Sequence, residues 1–342
     1  MANLNRASKQ LFSRPDDERF DSLDALHNHC RTVRDQSEER WQLPGSIAPE
    51  GVVDSVCLRL VGDGYFRLND WSFGQMCGLA GIQKETVNRL QPETAATVFQ
   101  ETLPSGTKPL QILTHGSAVR SIHGASYTRL FDADLLDVVR QSADGFAPPP
   151  PGFNGATGLY AGQQDMFAFL IDDSAWVDIG GEQFAPGFFV WNSEVGRRTV
   201  GVETFWYQRI CSNHIVWDAI EVVSFSRKHT AKVGEAIDDI QRIIERLVIK
   251  RDERRDGFAK SIRKAMDTTL GSDAEEAAKA LAGHSIPSKM VKEAVESVAR
   301  DSGRFTVFNL VDALTRATRE TRHAGDRTEQ EVRIGALLSL AV

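Results

Sequence analysis

Residues 187–218 constrain the fold most, because they form two strand-like runs joined by a polar turn. Residues 187–191 are bulky and apolar, and residues 199–216 are mostly β-branched and aromatic, which is typical of strands. The connecting residues 192–198 are polar and include Gly196, where a positive φ would be tolerated. The pattern therefore predicts a β-hairpin.

The second arm of this hairpin carries large side chains on both faces. Successive side chains of a strand point to opposite sides, so Trp206 shares one face with Thr204, while Phe205 and Tyr207 share the other. A strand with aromatic rings on both faces is stabilised by burial on both sides. We therefore expect this strand to be covered on both faces.

The rest of the chain alternates short strand and helix patterns before it becomes helical. Further strands are predicted at 53–60, 65–68, 110–113, 118–122 and 166–172. Helices are predicted at 22–36, 70–81, 84–90, from 92, from 132 or 134, from 228, and at 274–281, 287–301 and 306–322. The expected N-caps are Asp21 or Ser22, Asn69 or Asp70, and Asp132 or Asp134. These patterns predict an α+β fold with a mainly antiparallel sheet, inserted helices and a helical C-terminal region.

The order of predicted strands and helices divides the chain into three regions. Residues 1–50 are polar and partly helical, which suggests an N-terminal arm for packing or oligomerisation, or a flexible leader. Residues 51–225 form the predicted α+β core domain, and residues 226–342 form the helical C-terminal region. A chain of 342 residues is long enough to bury a sizeable core.

The composition narrows the class of protein. With 41% hydrophobic and 25% charged residues, the chain is typical of globular proteins. It has no apolar run of about 18 residues and no apolar signal-peptide core near its start. Its four cysteines lack paired spacing, which fits a reducing compartment. We therefore expect a cytoplasmic protein without a membrane partner.

The predicted hairpin also carries a family resemblance. Its turn reads Asn-Ser-Glu-Val-Gly at 192–196, an aromatic strand follows, and Arg-Ile-Cys-Ser-Asn comes at 209–213. This phrase resembles the hallmark of the phage/plasmid-like protein family, domain-of-unknown-function family nine-three-two. The order of elements at 66–103 and 119–135 is similar to that family as well, so the match spans 56–218. The motif positions are Asn192, Ser193, Glu194, Gly196, Cys211 and Asn213. The resemblance implies an α+β fold and a mobile-element context, but no reaction.

Charge is distributed unevenly. The formal net charge of −7 argues against a protein coated with basic residues for duplex DNA. Residues 146–222 hold 3 basic and 9 acidic side chains, whereas residues 223–342 hold 22 and 19. The most cationic stretch, 242–264, lies on a predicted amphipathic helix. It is either a solvated face with opposite charges four residues apart or a track for a nucleic-acid strand.

These features predict a nucleic-acid-associated accessory protein of mobile elements that binds or anneals single-stranded DNA in recombination. Aromatic rings of the sheet would stack on bases while the basic helix follows the backbone. The expected partners are single-stranded DNA and a second copy of the chain. The predicted contacts are Arg197, Arg198, Arg209, Lys250, Arg251, Arg254 and Arg255. Arg120 and Arg129 either contact phosphate or pair with acids at strand ends.

Two alternatives belong to other classes. The protein could be a non-enzymatic interaction factor that binds a partner protein through its helical tail. It could instead be an enzyme that uses Glu194, Asn213 and His214 if these groups converge. No catalytic residue is assigned from the sequence.

We predict no cofactor and no metal site. Cys211 and His214, together with the histidines and cysteine at 27–30, have ligand chemistry, but no spacing brings them together. The glycines at 62 and 64 lack the remainder of a nucleotide-binding fingerprint.

Overall fold

The computed structural model of the chain describes residues 16–149, 158–208, 213–215, 224–229, 233–249, 251–318, 330 and 333–341. The strands are β1 Ser37–Gln42, β2 Ile47–Val52, β3 Ser55–Leu60, β4 Gly64–Leu68, β5 Leu110–His115, β6 Ala118–Gly124, β7 Phe146–Ala147, β8 Leu159–Ala161, β9 Met166–Asp172, β10 Val177–Ile179, β11 Glu182–Asn192, β12 Val200–Gln208, β13 Asn213–Ile215 and β14 Ser224–Arg227. The α-helices are α1 Leu23–Asp35, α2 Asp70–Ala80, α3 Lys84–Val87, α4 Pro92–Thr102, α5 Asp132–Ser142, α6 Val233–Ile249, α7 Arg251–Asp267, α8 Ala274–Leu281, α9 Ser288–Asp301 and α10 Val307–Ala317. Short 3₁₀ turns lie at Asp16–Glu18, Pro44–Ser46 and Ala336–Ala341. The α+β class predicted from the sequence is confirmed.

The first sheet has six strands in the order β1-β5-β6-β4-β3-β2 and is antiparallel except where β4 meets β6. Its two edge strands are consecutive in the chain, and only residues 43–46 connect them. Those five Cα steps reach at most about 18 Å, whereas the edges of a flat six-stranded sheet lie roughly 24 Å apart. The sheet is therefore strongly curved. Gln42 Nε2 at the end of β1 donates a hydrogen bond of 3.2 Å to Asp63 Oδ2 in the β3–β4 turn, so strand β1 comes close to the opposite side of the sheet.

Helices α2 and α4 fill the concave side of this sheet. Leu58, Phe66 and Ile112 point inward and share a buried cluster with Met76 and Phe99 of the helices. Asn69, one of the two predicted caps, caps α2 through its side chain, and Gly81 ends that helix with a φ of +69°.

Helix α2 also covers an edge that the short strand β4 leaves open. Strand β4 pairs with β6 only through Arg67 and Leu68. Beyond that point, Ser72 Oγ donates to the carbonyl of Val119 at 2.9 Å, and the amide of Ile122 donates to Gln75 Oε1 at 2.9 Å. The α2 N-terminus is thereby fixed against β6.

The second sheet contains the predicted hairpin. Its main path is β13-β12-β11-β9-β7, and β14, β10 and β8 pair with β12, β11 and β9. Strands β11 and β12 are antiparallel, with Gly187 opposite Phe205. A Cβ at Gly187 would lie 2.5 Å from the Leu170 carbonyl oxygen, so this close crossing requires glycine.

Both faces of this sheet are buried, which confirms the prediction for the second arm. One face packs Phe188, Val190 and Val202 against α1, α5 and α6. The other face carries aromatic rings, including Phe169, Phe189 and Phe205. Every residue of β12 is buried.

The C-terminal helices α7 to α10 pack on the end of the same sheet. Ile179, Phe184 and Trp206 belong to one buried cluster with residues of these helices. The Trp206 ring stacks on Phe258 of α7 with centroids 4.1 Å apart. Within the part of the chain that the structure describes, no helix is both long and apolar enough to cross a bilayer.

The region predicted as an N-terminal arm contributes to both sheets. Ser22 caps α1, as expected, and β1 pairs with β5 along its whole length. Buried His27 of α1 joins two side chains of α5: its Nε2 lies 2.7 Å from Asp137 Oδ1 and its Nδ1 lies 3.1 Å from Arg140 Nη1. The packing role is observed, and the arm is continuous with the core.

One cap prediction is wrong. The N-cap of α5 is Phe131, and neither Asp132 nor Asp134 caps the helix with its side chain. The Asp132 carboxylate accepts from Asn192 Nδ2 instead, because the β11–β12 turn lies directly against the start of α5.

Candidate functional site

The β11–β12 turn lies between the two sheets, and Glu194 is its centre. Only 2% of this residue is exposed. Its Oε2 accepts from Arg120 Nη1 of β6 at 2.6 Å, and its Oε1 accepts from the amide of Asp132 at 3.0 Å. A buried carboxylate needs such partners to offset its desolvation. The Glu194 side chain therefore ties the hairpin to β6 and to α5.

The backbone of the same turn is held as tightly as its carboxylate. The Glu194 carbonyl accepts from the Tyr127 hydroxyl at 2.9 Å and from Arg129 Nη1. The next carbonyl, of Val195, accepts from Trp71 Nε1 at 2.8 Å. Side chains from α2 and from the β6–α5 segment thus replace the backbone pairing that a turn lacks.

Asn192 completes the link to α5. Its Nδ2 donates to the Leu130 carbonyl at 2.9 Å and to Asp132 Oδ1 at 2.7 Å. Burial raises the pKa of Asp132 well above its ordinary value, and the nearby Glu194 carboxylate adds to the effect. Asp132 therefore resists ionisation, because burial disfavours its charged form and the like charge of Glu194 repels it.

Three aromatic side chains stack beside the turn. The His123 and Tyr127 ring centroids are 3.6 Å apart, and His229, which precedes α6, lies 5.5 Å from Tyr127 on an almost parallel plane. His123 Nε2 is 3.0 Å from the Val195 carbonyl, which can only accept, so this nitrogen carries the proton. Neither ring nitrogen of His229 has a well-formed hydrogen bond among the described residues, although the Thr128 backbone is close enough to influence its pKa.

Burial lowers the pKa of both histidines to about 4, and the positive charge of Arg129 adds to the effect for each of them. Burial also raises the pKa of Tyr127 above its usual range. All three rings are therefore neutral near pH 7, and the stack is an uncharged contact between the first sheet, the loop before α5 and the segment before α6.

Gly196 allows this contact. Its φ is +75°, and a Cβ there would lie 2.7 Å from His123 Cε1. The sequence showed that a positive φ would be tolerated at this position, and the structure shows both the positive φ and the nearby ring.

The two arginines predicted to bind nucleic acid at the hairpin tip form contacts within the protein. Arg198 Nε lies 2.9 Å from the buried Asp165 carboxylate, and Arg197 Nη1 donates to Gln164 Oε1. Arg120 and Arg129 also pair with acids, the first with Glu194 and the second with Glu39 at 2.5 Å. For these two arginines, the acid-pairing alternative is the one observed.

The structure describes the remaining predicted positions only in part. Arg209, Cys211 and Lys250 are outside the described residues, and the structure describes the helix positions of Arg251 and Arg254 without their side chains. Arg255 is described and lies 3.2 Å from Asp256. Asn213 lies in β13 opposite Gln208.

The second half of α7 presents the clearest cationic surface, which we call the α7 face and define as Lys260, Arg263 and Lys264. All three side chains are exposed, and no ion pair is found for any of them within the described ranges. The opposite side of the helix buries Phe258 and Ile262. No carboxylate occurs between residues 257 and 265.

The aromatic half of the nucleic-acid prediction needs a correction. Phe167, Phe189, Phe205 and Tyr207 of the second sheet are each at most 2% exposed. These rings pack against one another, so they cannot stack on bases. The strands are flanked on both faces, and residue type alone does not distinguish core rings from surface rings.

The residues of the enzyme alternative do not converge. Glu194 precedes Val200 at one end of β12, whereas His214 pairs with Tyr207 at the other end. The seven residue steps from Val200 to Tyr207 span roughly 23 Å. Among the described residues, no group of three or more histidine, cysteine or acidic side chains could hold a metal ion.

The sequence did not identify Asp132, Tyr127 and His229 as partners of the Asn-Ser-Glu-Val-Gly turn. They lie 62, 67 and 35 residues from Glu194 in the chain, and their spacing carries no periodic signal. The acid–base pairing of Arg120 was the one indication available.

Comparisons with known proteins do not assign the chain to a family. No protein-family model matches the chain, and neither a curated protein nor a solved structure matches it. The family resemblance of the turn remains a prediction.

Proposed function

We propose that the protein is a nucleic-acid-associated accessory factor that binds single strands through the α7 face. The observation that supports this proposal is three exposed cations within two turns of one helix, with no carboxylate among them. Exposed and unpaired cations contact phosphate without first breaking an internal ion pair. The mobile-element context comes from the resemblance of the 192–213 region and belongs to the same proposal.

The proposal differs from the sequence prediction in its contacts. Arg197 and Arg198 would each have to leave a partner in the protein before they met a phosphate. Lys260, Arg263 and Lys264 need no such exchange. The α7 face therefore replaces the hairpin tip as the expected phosphate contact.

The test is binding of the purified protein to a labelled single strand and to the matching duplex over a salt series. We compare the wild type with Lys260→Ala/Arg263→Ala/Lys264→Ala. Loss of three phosphate contacts flattens the plot of log K against log salt by about 2 for a single strand. An unchanged slope would remove the α7 face from the proposal.

A matched control removes three other lysines. Lys279, Lys289 and Lys292 are exposed, and each pairs with a glutamate four residues away at 3.0 to 4.0 Å. Their triple alanine variant changes the net charge equally, and we expect its affinity to stay near that of the wild type. Equal losses in both variants would indicate a nonspecific effect of net charge and contradict the proposal.

A further inference from the structure

The convex face of the curved sheet carries an aromatic and basic surface that differs from the α7 face. Arg59 and Tyr65 lie opposite each other on β3 and β4, and Cys57 and Arg67 form the next pair on the same face. The opposite face of these strands holds Leu58 and Phe66 in the core. The alternation of β3 and β4 therefore places Tyr65 and Arg67 side by side on the outside.

Tyr65 is one of the two most exposed aromatic side chains among the described residues, with 56% of its surface accessible. Its hydroxyl interacts with the Glu50 carboxylate on β2, which raises the pKa of the tyrosine. The contact holds the ring at its polar tip and leaves the apolar ring surface in water.

The charges around this ring favour an anion. Glu50 also accepts from Arg59 Nε at 2.6 Å, so its charge is offset. Arg67 is exposed and has no ion pair in the described ranges. The group formed by Glu50, Arg59, Tyr65 and Arg67 therefore has one positive charge in excess, beside a flat accessible ring.

We infer that Tyr65 and Arg67 form a contact site for one nucleotide of a single-stranded nucleic acid, with the base stacked on Tyr65 and its phosphate on Arg67. An exposed ring on a sheet next to a free guanidinium suits unstacked bases, whereas a duplex keeps its bases covered. The inference rests on the proposed function and adds base contact, which the α7 face cannot supply because it has no exposed aromatic ring.

The experiment compares two oligomers of equal length: a thymidine oligomer and an abasic deoxyribose-phosphate oligomer. We expect Tyr65→Ala to weaken binding of the thymidine oligomer about five- to 150-fold, the effect of ~1–3 kcal/mol of stacking. Binding of the abasic oligomer is expected to change less than twofold. The Lys260/Arg263/Lys264 triple variant weakens binding of both oligomers, since it removes phosphate contacts.

Trp41 provides the matched control. It is 53% exposed on β1 of the same sheet, but its chain neighbours are Arg40 and Gln42, and Arg40 is paired with Asp63 at 2.6 Å. Trp41→Ala is expected to leave the affinity for both oligomers unchanged. Arg67→Ala weakens both and lowers the single-strand salt slope by about 0.7.

The outcomes separate the two proposals. If the wild type binds the thymidine oligomer and Tyr65→Ala binds it within twofold of the wild type, the Tyr65 site is wrong and the proposed function stands. Equal losses of Tyr65→Ala on both oligomers also overturn base stacking. If the wild type binds neither oligomer at low salt, both proposals fail.

Discussion

At the scale of single residues, Glu194 joins the hairpin of the second sheet to β6 of the first sheet and to α5. Its carboxylate meets Arg120 and the Asp132 amide, while its carbonyl meets Tyr127 and Arg129. Removal of one member of a buried ion pair strongly destabilises the folded protein, because the other charge is left without a partner.

We predict that Glu194→Gln lowers the free energy of unfolding by about 3–5 kcal/mol. Urea denaturation followed by circular dichroism measures this loss. Glu38→Gln is the control, since Glu38 is 70% exposed beside Arg40, and exposed pairs contribute at most about 1 kcal/mol. Equal stability of Glu194→Gln and the wild type would show that the turn does not lock the sheets.

The two stacked histidines make stability depend on pH. Their pKa values of about 4 in the folded protein lie below the ordinary 6.5, so the unfolded chain binds more protons between those values. The contribution of each histidine to the free energy of unfolding is therefore complete above pH 6.5. It falls by on the order of 3 kcal/mol as the pH drops towards 4. The raised pKa of Asp132 has the opposite sign, because the folded protein takes up that proton more readily.

His229→Phe keeps a stacked ring and removes one titration. We expect the slope of unfolding free energy against pH between 6.5 and 4 to decrease by about 1.4 kcal/mol per pH unit. Chemical denaturation at several pH values measures it, with His284→Phe as a control on a histidine outside the stack. A slope identical to that of the wild type would mean that His229 titrates in the folded protein as it does in water.

At the scale of elements, glycines in turns differ in what surrounds them. Gly196 and Gly116 both have a positive φ, but a Cβ at Gly116 would meet nothing within 4 Å, whereas one at Gly196 would strike His123. Both alanine variants bear the backbone strain of about 1 kcal/mol.

We predict that Gly196→Ala is destabilised by at least about 1–3 kcal/mol more than Gly116→Ala, because overpacking adds to the strain. Thermal and urea unfolding of the two variants measure the difference. Similar losses would show that His123 moves aside without cost.

The two sides of helix α7 have different roles. One side is packed in the core, and the other side carries the proposed phosphate contacts. Ile262 is fully buried in the C-terminal cluster, so Ile262→Ala should cost about 2–5 kcal/mol. The Lys260/Arg263/Lys264 triple alanine variant should unfold within about 0.5 kcal/mol of the wild type, because exposed substitutions rarely matter more. Urea unfolding of both variants decides this. A triple variant as unstable as Ile262→Ala would contradict the exposed position of the α7 face.

At the scale of the whole molecule, packing continues across the predicted region boundaries at residues 50 and 225. Strand β1 and helix α1 precede residue 50, yet they pair with β5 and pack on α5. The C-terminal helices complete a cluster that begins in β10 and β11. Division of the chain at 50 and 225 therefore cuts through continuous packing, although the division into domains itself stays a prediction.

We predict that deletion of residues 1–43 abolishes the cooperative thermal transition, because it exposes the edge of β5 and the face of α5. Calorimetry and size-exclusion chromatography of the truncated chain measure the result. A truncated chain that is monomeric and unfolds at the wild-type midpoint would instead support a separable arm.

Elements that form for local reasons were predictable from the residue pattern. Alternation and residue type predicted the β11–β12 hairpin, and the positions of Asn69 and Gly81 predicted the two ends of α2. Each of these signals acts within a few residues, where backbone geometry and side-chain direction decide the outcome.

Which charged side chains are paired and which stay exposed depends on contacts between distant segments. Arg198 and Arg120 are cationic side chains like those of the α7 face, yet carboxylates from distant segments neutralise them. The phenylalanines of the second sheet look available by type and are buried, whereas Tyr65 stays exposed on a convex face. Pairing and exposure depend on segments far apart in the chain, because curvature and sheet packing bring them together, and no periodicity of the sequence records that proximity.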